Sequence, residues 1–74
     1  MSKVYIIEGR TYEISDILLA YDRIDVELFK KTIKEGFNSR HYDYIEIVCW
    51  VGAIEIYSKV VYSNTDLDKI IGGM

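Results

Sequence analysis

Residues Ile45 to Val61 read IEIVCWVGAIEIYSKVV, two β-prone runs on either side of Gly52-Ala53. β-Branched and aromatic residues dominate both runs, and Gly52-Ala53 suits a two-residue type II′ turn with glycine at its first central position. The stretch predicts a β-hairpin over residues 42–62. With that loop, Glu46 lies opposite Lys59, Val48 opposite Tyr57 and Trp50 opposite Glu55, a register that gives one opposite-charge pair and one apolar pair. One face then carries Ile45, Ile47, Cys49, Val51, Ile54, Ile56 and Val60, with Ser58 as its polar member, and is the expected core face. The other carries Tyr42, Tyr44, Glu46, Val48, Trp50, Glu55, Tyr57, Lys59 and Val61. Moving the loop to Val51-Gly52 shifts the pairing by two residues and keeps every side chain on its face.

A sheet wetted on one side alternates apolar with polar residues, and the outer face of this hairpin is not properly polar. Aromatic residues ringed by charge match the make-up of interface centres. Tyr42, Tyr44, Glu46, Val48, Trp50, Glu55, Tyr57 and Lys59 are therefore the candidate partner-binding residues. The competing reading is that another element of the same chain covers them. A domain with so few elements cannot cover a four-stranded sheet twice, so some aromatic surface is expected to face a partner or a second copy of the chain.

Working outward toward the N-terminus, Val4 to Ile14 (VYIIEGRTYEI) places two β-prone runs around Glu8-Gly9. A two-residue loop there pairs Ile7 with Arg10 and Tyr5 with Tyr12. Ser15 then precedes DILLAYDRIDVELFKKTIKEG, which reads as a helical middle with Ser15 as N-cap and Asp16 at the positive helix end. Its first apolar stripe, Ile17, Leu18, Tyr21, Ile24 and Leu28, is rotated from its second, Val26, Phe29, Ile33 and Phe37. Either one helix bends around the core or two short helices meet at Asp22-Arg23, with Asp25 capping the second; the phase slip favours the break. Gly36 is the expected left-handed C-terminal residue, with Lys30, Lys31 and Lys34 in the last turns. Toward the C-terminus, Ser63 to Asp66 offers helix caps before LDKII, and Gly72-Gly73 stops a short helix. The expected fold class is thus α+β: hairpin, helical middle, second hairpin, short C-terminal helix.

Seventy-four residues, half of them hydrophobic and 28% charged, predict a single globular domain over residues 1–74. A chain this short buries only about 60% of its unfolded surface and does not support two cores. No run of about 18 apolar residues encodes a membrane span, and no signal peptide is expected, so the cytoplasm is the expected compartment. Cys49 is the one cysteine and His41 the one histidine, which leaves no internal disulfide and too few ligands for a zinc site. A formal charge of −3, from 12 acidic and 9 basic residues, disfavours direct binding of polyanions.

The residues needed for catalysis are also thin. Nucleophilic catalysis needs a serine or cysteine beside an oriented base, whereas His41 falls in a loop and Cys49 on the core face. Gly36 and Gly72-Gly73 follow helices rather than open them, so no phosphate loop is formed. Asp22 with Asp25, and Asp66 with Asp68, read as caps and solvated loop residues rather than acid/base pairs. No catalytic residue, metal site or cofactor is expected.

Three resemblances bear on function. EISDILLAYDRIDVELFKKTIKEG followed by a hairpin, residues 13–62, resembles the small winged helix-turn-helix proteins of the excisionase and MerR-like type. That resemblance implies that Glu27, Lys30, Lys31 and Lys34 face a DNA groove, with Arg40 and His41 leading into the wing. The acidic Asp25 and Glu27 at the start of the second helix oppose it, and a solvated lysine face is the simpler account. Gly72-Gly73 is similar to the tail of ubiquitin-like and sulfur-carrier proteins, but Met74 follows and LDKII is helical in pattern. Lastly, acidic tyrosine- and isoleucine-rich sequences of this size without catalytic residues resemble, in composition, the inhibitors that viruses (phages) and mobile elements encode against host complexes. Anti-CRISPR proteins are among these. This resemblance implies a protein-binding module whose acids, with Glu46, Glu55, Asp43 and Asp66 to Asp68 as candidates, imitate nucleic-acid phosphates. Such a binder is the leading expectation, and the DNA-binding regulator using Lys30, Lys31, Lys34 and Arg40 the alternative.

Overall fold

The computed structural model describes residues 3–39 and 42–74. In chain order the elements are β1 (Lys3–Arg10), β2 (Ser15–Tyr21), α1 (Val26–Ser39), β3 (Tyr44–Val51), β4 (Ile54–Val61) and α2 (Asn64–Gly72). The four strands form one antiparallel sheet in the order β2-β1-β3-β4, so the two hairpins join through their first strands. This is the expected α+β order of hairpin, helix, hairpin and short helix.

The first hairpin differs in detail from the sequence reading. β1 runs straight through Glu8-Gly9, and the turn is residues 11–14. Thr11 closes that turn: its N–H donates to the Ile14 carbonyl at 2.8 Å, and its Oγ1 accepts from the N–H groups of Ile14 and Glu13. A threonine hydroxyl that serves two turn amides makes this loop favourable without glycine. Ser15–Tyr21, expected to be helical, is instead the edge strand β2, so Ser15 caps nothing. The helical middle is the one helix α1, and the break expected near Asp22-Arg23 is the strand-to-helix passage. Local propensity yields here to pairing with β1, because a strand at this position sends Leu19 and Tyr21 into the core. Asp25 is the cap that the sequence offered as one of two: its Oδ1 accepts from Leu28 N–H at 3.0 Å and its carbonyl from Phe29 N–H at 2.8 Å.

Both helices lie on the same side of the sheet. α1 packs over β1 and β2, α2 over β4, and the helices pack on each other. Three cross-strand rows meet them: Tyr21, Tyr5, Cys49, Tyr57; Leu19, Ile7, Ile47, Lys59; and Asp16, Gly9, Ile45, Val61. Phe29 and Ile33 of α1 and Leu67 and Ile71 of α2 close this core, all but inaccessible to solvent. Each such side chain contributes on the order of 1.5–3 kcal/mol by leaving water. Cα extents of 34 × 27 × 15 Å leave room for one helix layer on one sheet and no third layer.

Two glycines allow close approach rather than turns. A methyl at Gly9 would lie 2.6 Å from the Tyr42 ring, which crosses β1 there and donates its hydroxyl proton to Asp16 Oδ2 at 2.8 Å. A methyl at Gly36 would meet Leu18 Cδ1 at 2.9 Å and Ile45 Cδ1 at 3.0 Å. Gly36 is thus inside α1, where it lets the helix sit on the sheet, and is not its left-handed cap. Gly52 alone among the described residues has positive φ, 61°, while Ala53 does not, as the predicted type II′ turn requires.

Candidate interaction surface on the open sheet face

The face of the sheet turned away from the helices is built from four rows. Counted from β2 to β4 they are Ala20, Ile6, Val48, Ser58; Ile17, Glu8, Glu46, Val60; Ser15, Arg10, Tyr44; and, on three strands, Val4, Trp50, Glu55. Tyr62, just beyond β4, extends the third row, its ring 6.1 Å from that of Tyr44. No helix among the described residues covers this face. Val48 at its centre is only 2% exposed because its own neighbours on the face enclose it, whereas Ile17 at one edge is 68% exposed and Val4 36%.

Five of the eight predicted partner-binding residues share this face: Tyr44, Glu46, Val48, Trp50 and Glu55. Three do not. Tyr42 is buried over Gly9, and Tyr57 and Lys59 lie on the helix side, Tyr57 against the core and Lys59 at its exposed margin. The cause is an irregularity between Cys49 and Trp50. Trp50 pairs with Glu55 as expected, but Cys49 pairs with Tyr57, so Ile56 is an extra residue. One inserted residue exchanges the faces of everything beyond it. Val61 therefore turns into the core and Val60 out, the reverse of the expected assignment, and Glu46 faces Val60 instead of Lys59.

Sequence reasoning missed Val4, Ile6, Glu8, Arg10 and Ile17, because a turn at Glu8-Gly9 and a helix from Ser15 hid the strands that carry them. The available signal was the continuous β-branched and aromatic run Val4–Ile7, which fits a strand flanked on both sides, and it says nothing of Ile17.

The centre of the face is charged. Glu8 and Glu46 are directly opposite one another on β1 and β3, a like-charge pairing that weakens a sheet. Arg10 strides both: its Nη2 donates to Glu8 Oε2 at 2.8 Å and lies 3.3 Å from Glu46 Oε1, while Ser15 Oγ donates to Glu8 Oε2 at 3.3 Å. The two carboxylates are mostly shielded, with side-chain exposures of 18% and 19%. The Glu8 carboxylate, with Glu46 beyond it, holds the Arg10 guanidinium above its ordinary pKa. Arg10 Nε is buried with no acceptor.

Of the residues of the DNA-binding alternative, the three that are described lie on α1. Lys30 is paired with Asp68 at 2.9 Å, Lys31 and Lys34 are exposed on α1, and Arg40, with His41, lies outside the described residues. The two consecutive helices that a winged helix-turn-helix places across a groove are not formed, since Ser15–Tyr21 is a strand. The acids proposed to imitate phosphates are scattered: Asp66 and Asp68 sit on α2 and Asp43 precedes β3, leaving Glu46 and Glu55 on the open face.

The described residues enclose no pocket, hold no group of three or more potential metal ligands, and include no helix long and apolar enough to cross a membrane. No protein-family model, curated protein or solved structure matches this chain.

Proposed function

We propose that this chain is a protein-binding module that engages its partner with the open face of its sheet. The observation that carries the reading is one-sided layering: both helices serve one face, and the other carries half-buried Ile6, Trp50 and Val60 around buried Val48, with Val4 and Ile17 exposed at its margins. An uncovered sheet face that sets aromatic and aliphatic residues beside a charged cluster has the make-up of an interaction surface. The acidic balance supports an inhibitor that blocks a nucleic-acid-handling complex as the form this function takes. A buried free thiol at Cys49 supports a reducing compartment such as the cytoplasm.

The test is selective loss of capture. Trp50→Lys and Ile17→Lys should abolish retention of a partner from source lysate while circular dichroism shows the parent fold. Lys31→Glu with Lys34→Glu, on the helix layer, should leave capture unchanged. If instead the lysine variants alone lose it, or if retention follows nucleic acid and disappears on nuclease treatment, the helix layer is the functional surface and the proposal is wrong.

A further inference from the structure

We infer that the partner of the open face is a cationic polypeptide surface, with arginine or lysine side chains set among apolar ones; this rests on the reading that the face binds protein. Among the described residues, Glu8, Glu46 and Glu55 lie on the face with Arg10 as its one cation, so three carboxylates and one guanidinium give those residues a net −2, out of a formal −3 for the chain. The lysines are elsewhere, with Lys30, Lys31 and Lys34 on α1, Lys69 on α2, Lys59 on the helix side of β4 and Lys3 at the start of β1 in the same register as Tyr5.

The charged cluster does not serve the fold well. It sets two carboxylates opposite each other, and its guanidinium leaves Nε buried without an acceptor. Both arrangements weaken a sheet that apolar residues at positions 8 and 46 would strengthen. Breaches of local design of this kind gather at functional sites.

Arg10 occupies Glu8 through Oε2 and Glu46 through Oε1, and one guanidinium cannot neutralise two carboxylates. An incoming cation completes the charge balance in a mostly shielded site between Ile17 and Val60, where a charge-assisted hydrogen bond is stronger than in water. A second copy is a poor occupant, because two such faces would bring −2 against −2. A nucleic acid is repelled for the same reason.

The experiment pans a random phage-displayed peptide library against the full chain, then titrates the synthesised consensus peptide by NMR. The expected consensus interleaves arginine or lysine with aliphatic or aromatic residues and shifts the amides of Ile6, Glu8, Glu46, Val48 and Trp50. Its affinity should fall about tenfold in Glu46→Gln and decline with added salt, while the melting temperature of that variant stays near the parent value. A consensus that maps to the same face but lacks basic residues overturns the charge assignment and leaves the protein-binding reading standing. Enrichment that maps to the helices, or no enrichment, overturns both. A dimer in sedimentation equilibrium that buries this face makes the occupant a second copy and overturns the inference.

Discussion

Gly9→Ala should cost far more than a methyl normally does in a strand. Strand propensity alone favours alanine over glycine by less than about 1 kcal/mol. The added methyl, however, would stand 2.6 Å from Tyr42 Cε2 and Cζ and 2.7 Å from Cε1. Carbon atoms rest at about 3.5–4.0 Å, so the ring must withdraw by about 1 Å. Tyr42 is only 8% exposed and anchored by its hydroxyl to Asp16 across β1, so withdrawal crowds the core and breaks that bond. Overpacking costs about 1–3 kcal/mol and the lost charge-assisted hydrogen bond about 1–2 more, for a net destabilisation of about 2–4 kcal/mol. Urea unfolding followed by Trp50 fluorescence measures it, with an unchanged denaturant slope confirming that the fold is otherwise kept. Tyr42→Ala alone should cost about 3 kcal/mol. Once the ring is gone the methyl at position 9 has room, so the double variant should be little worse than Tyr42→Ala, a coupling of about 2 kcal/mol. Strict additivity, or a Gly9→Ala variant within about 0.5 kcal/mol of the parent, would refute the close-approach account.

Asp25→Ala removes the side-chain acceptor of Leu28 N–H and should destabilise the protein by about 1 kcal/mol, while Asp25→Asn keeps most of it; thermal melts decide. Phe29→Ala empties the fully buried site against the Tyr5 ring, 6.0 Å away, and should cost about 3–5 kcal/mol, enough to leave a domain of this size largely unfolded at ambient temperature. Burial pushes the Tyr5 phenol up to about 12, with Tyr57 and Cys49 beside it adding to the shift. The unfolded chain therefore releases that proton first, so Tyr5 contributes stability that is intact below pH 10 and is lost as pH rises toward 12. Tyr5→Phe should flatten this alkaline decline in urea melts, and phenolate absorbance of the native protein should show one tyrosine titrating late.

The second hairpin was legible because glycine at the turn and seven β-prone residues before it agree at every level, and β3 keeps its expected faces throughout. β4 was not, for a reason internal to its sequence. Ile54, Ile56 and Val60 outvote Tyr57 and Val61 in any count of alternating apolar residues, and only α2, seating Leu67 and Ile71 beside Val61, decides the matter. The first 25 residues show the same limit. SDILLAY fits a helical stripe as well as an edge strand, and the choice depends on a partner, β1, whose course the expected turn at Glu8-Gly9 cut short. Asp25 was readable because a cap is local chemistry. Gly9 and Gly36 were not, since what each makes room for, Tyr42 in one case and Leu18 with Ile45 in the other, is set by the assembled layers.

The two edges of the sheet and its open face offer rival modes of binding, and the structure treats them differently. β2 carries an extra residue, Leu18, where its pairing with β1 shifts, and β4 carries Ile56 where its pairing with β3 shifts. Irregularities of this kind twist an edge away from continuous hydrogen bonding and are a common guard against strand addition. The face has no such guard; one of its two middle rows runs from Ala20 through Ile6 and Val48 to Ser58 without a charge. A partner seated on the face should therefore leave the outward N–H groups of β4 exchanging with solvent as fast as in the free protein, while it slows exchange in β1 and β3 by raising the stability of the whole sheet. A partner added as a fifth strand should instead protect the β4 amides first and most. Amide exchange on the complex separates the two, and strong selective protection along Ile54–Val61 would show that the edge, not the face, is where this protein binds.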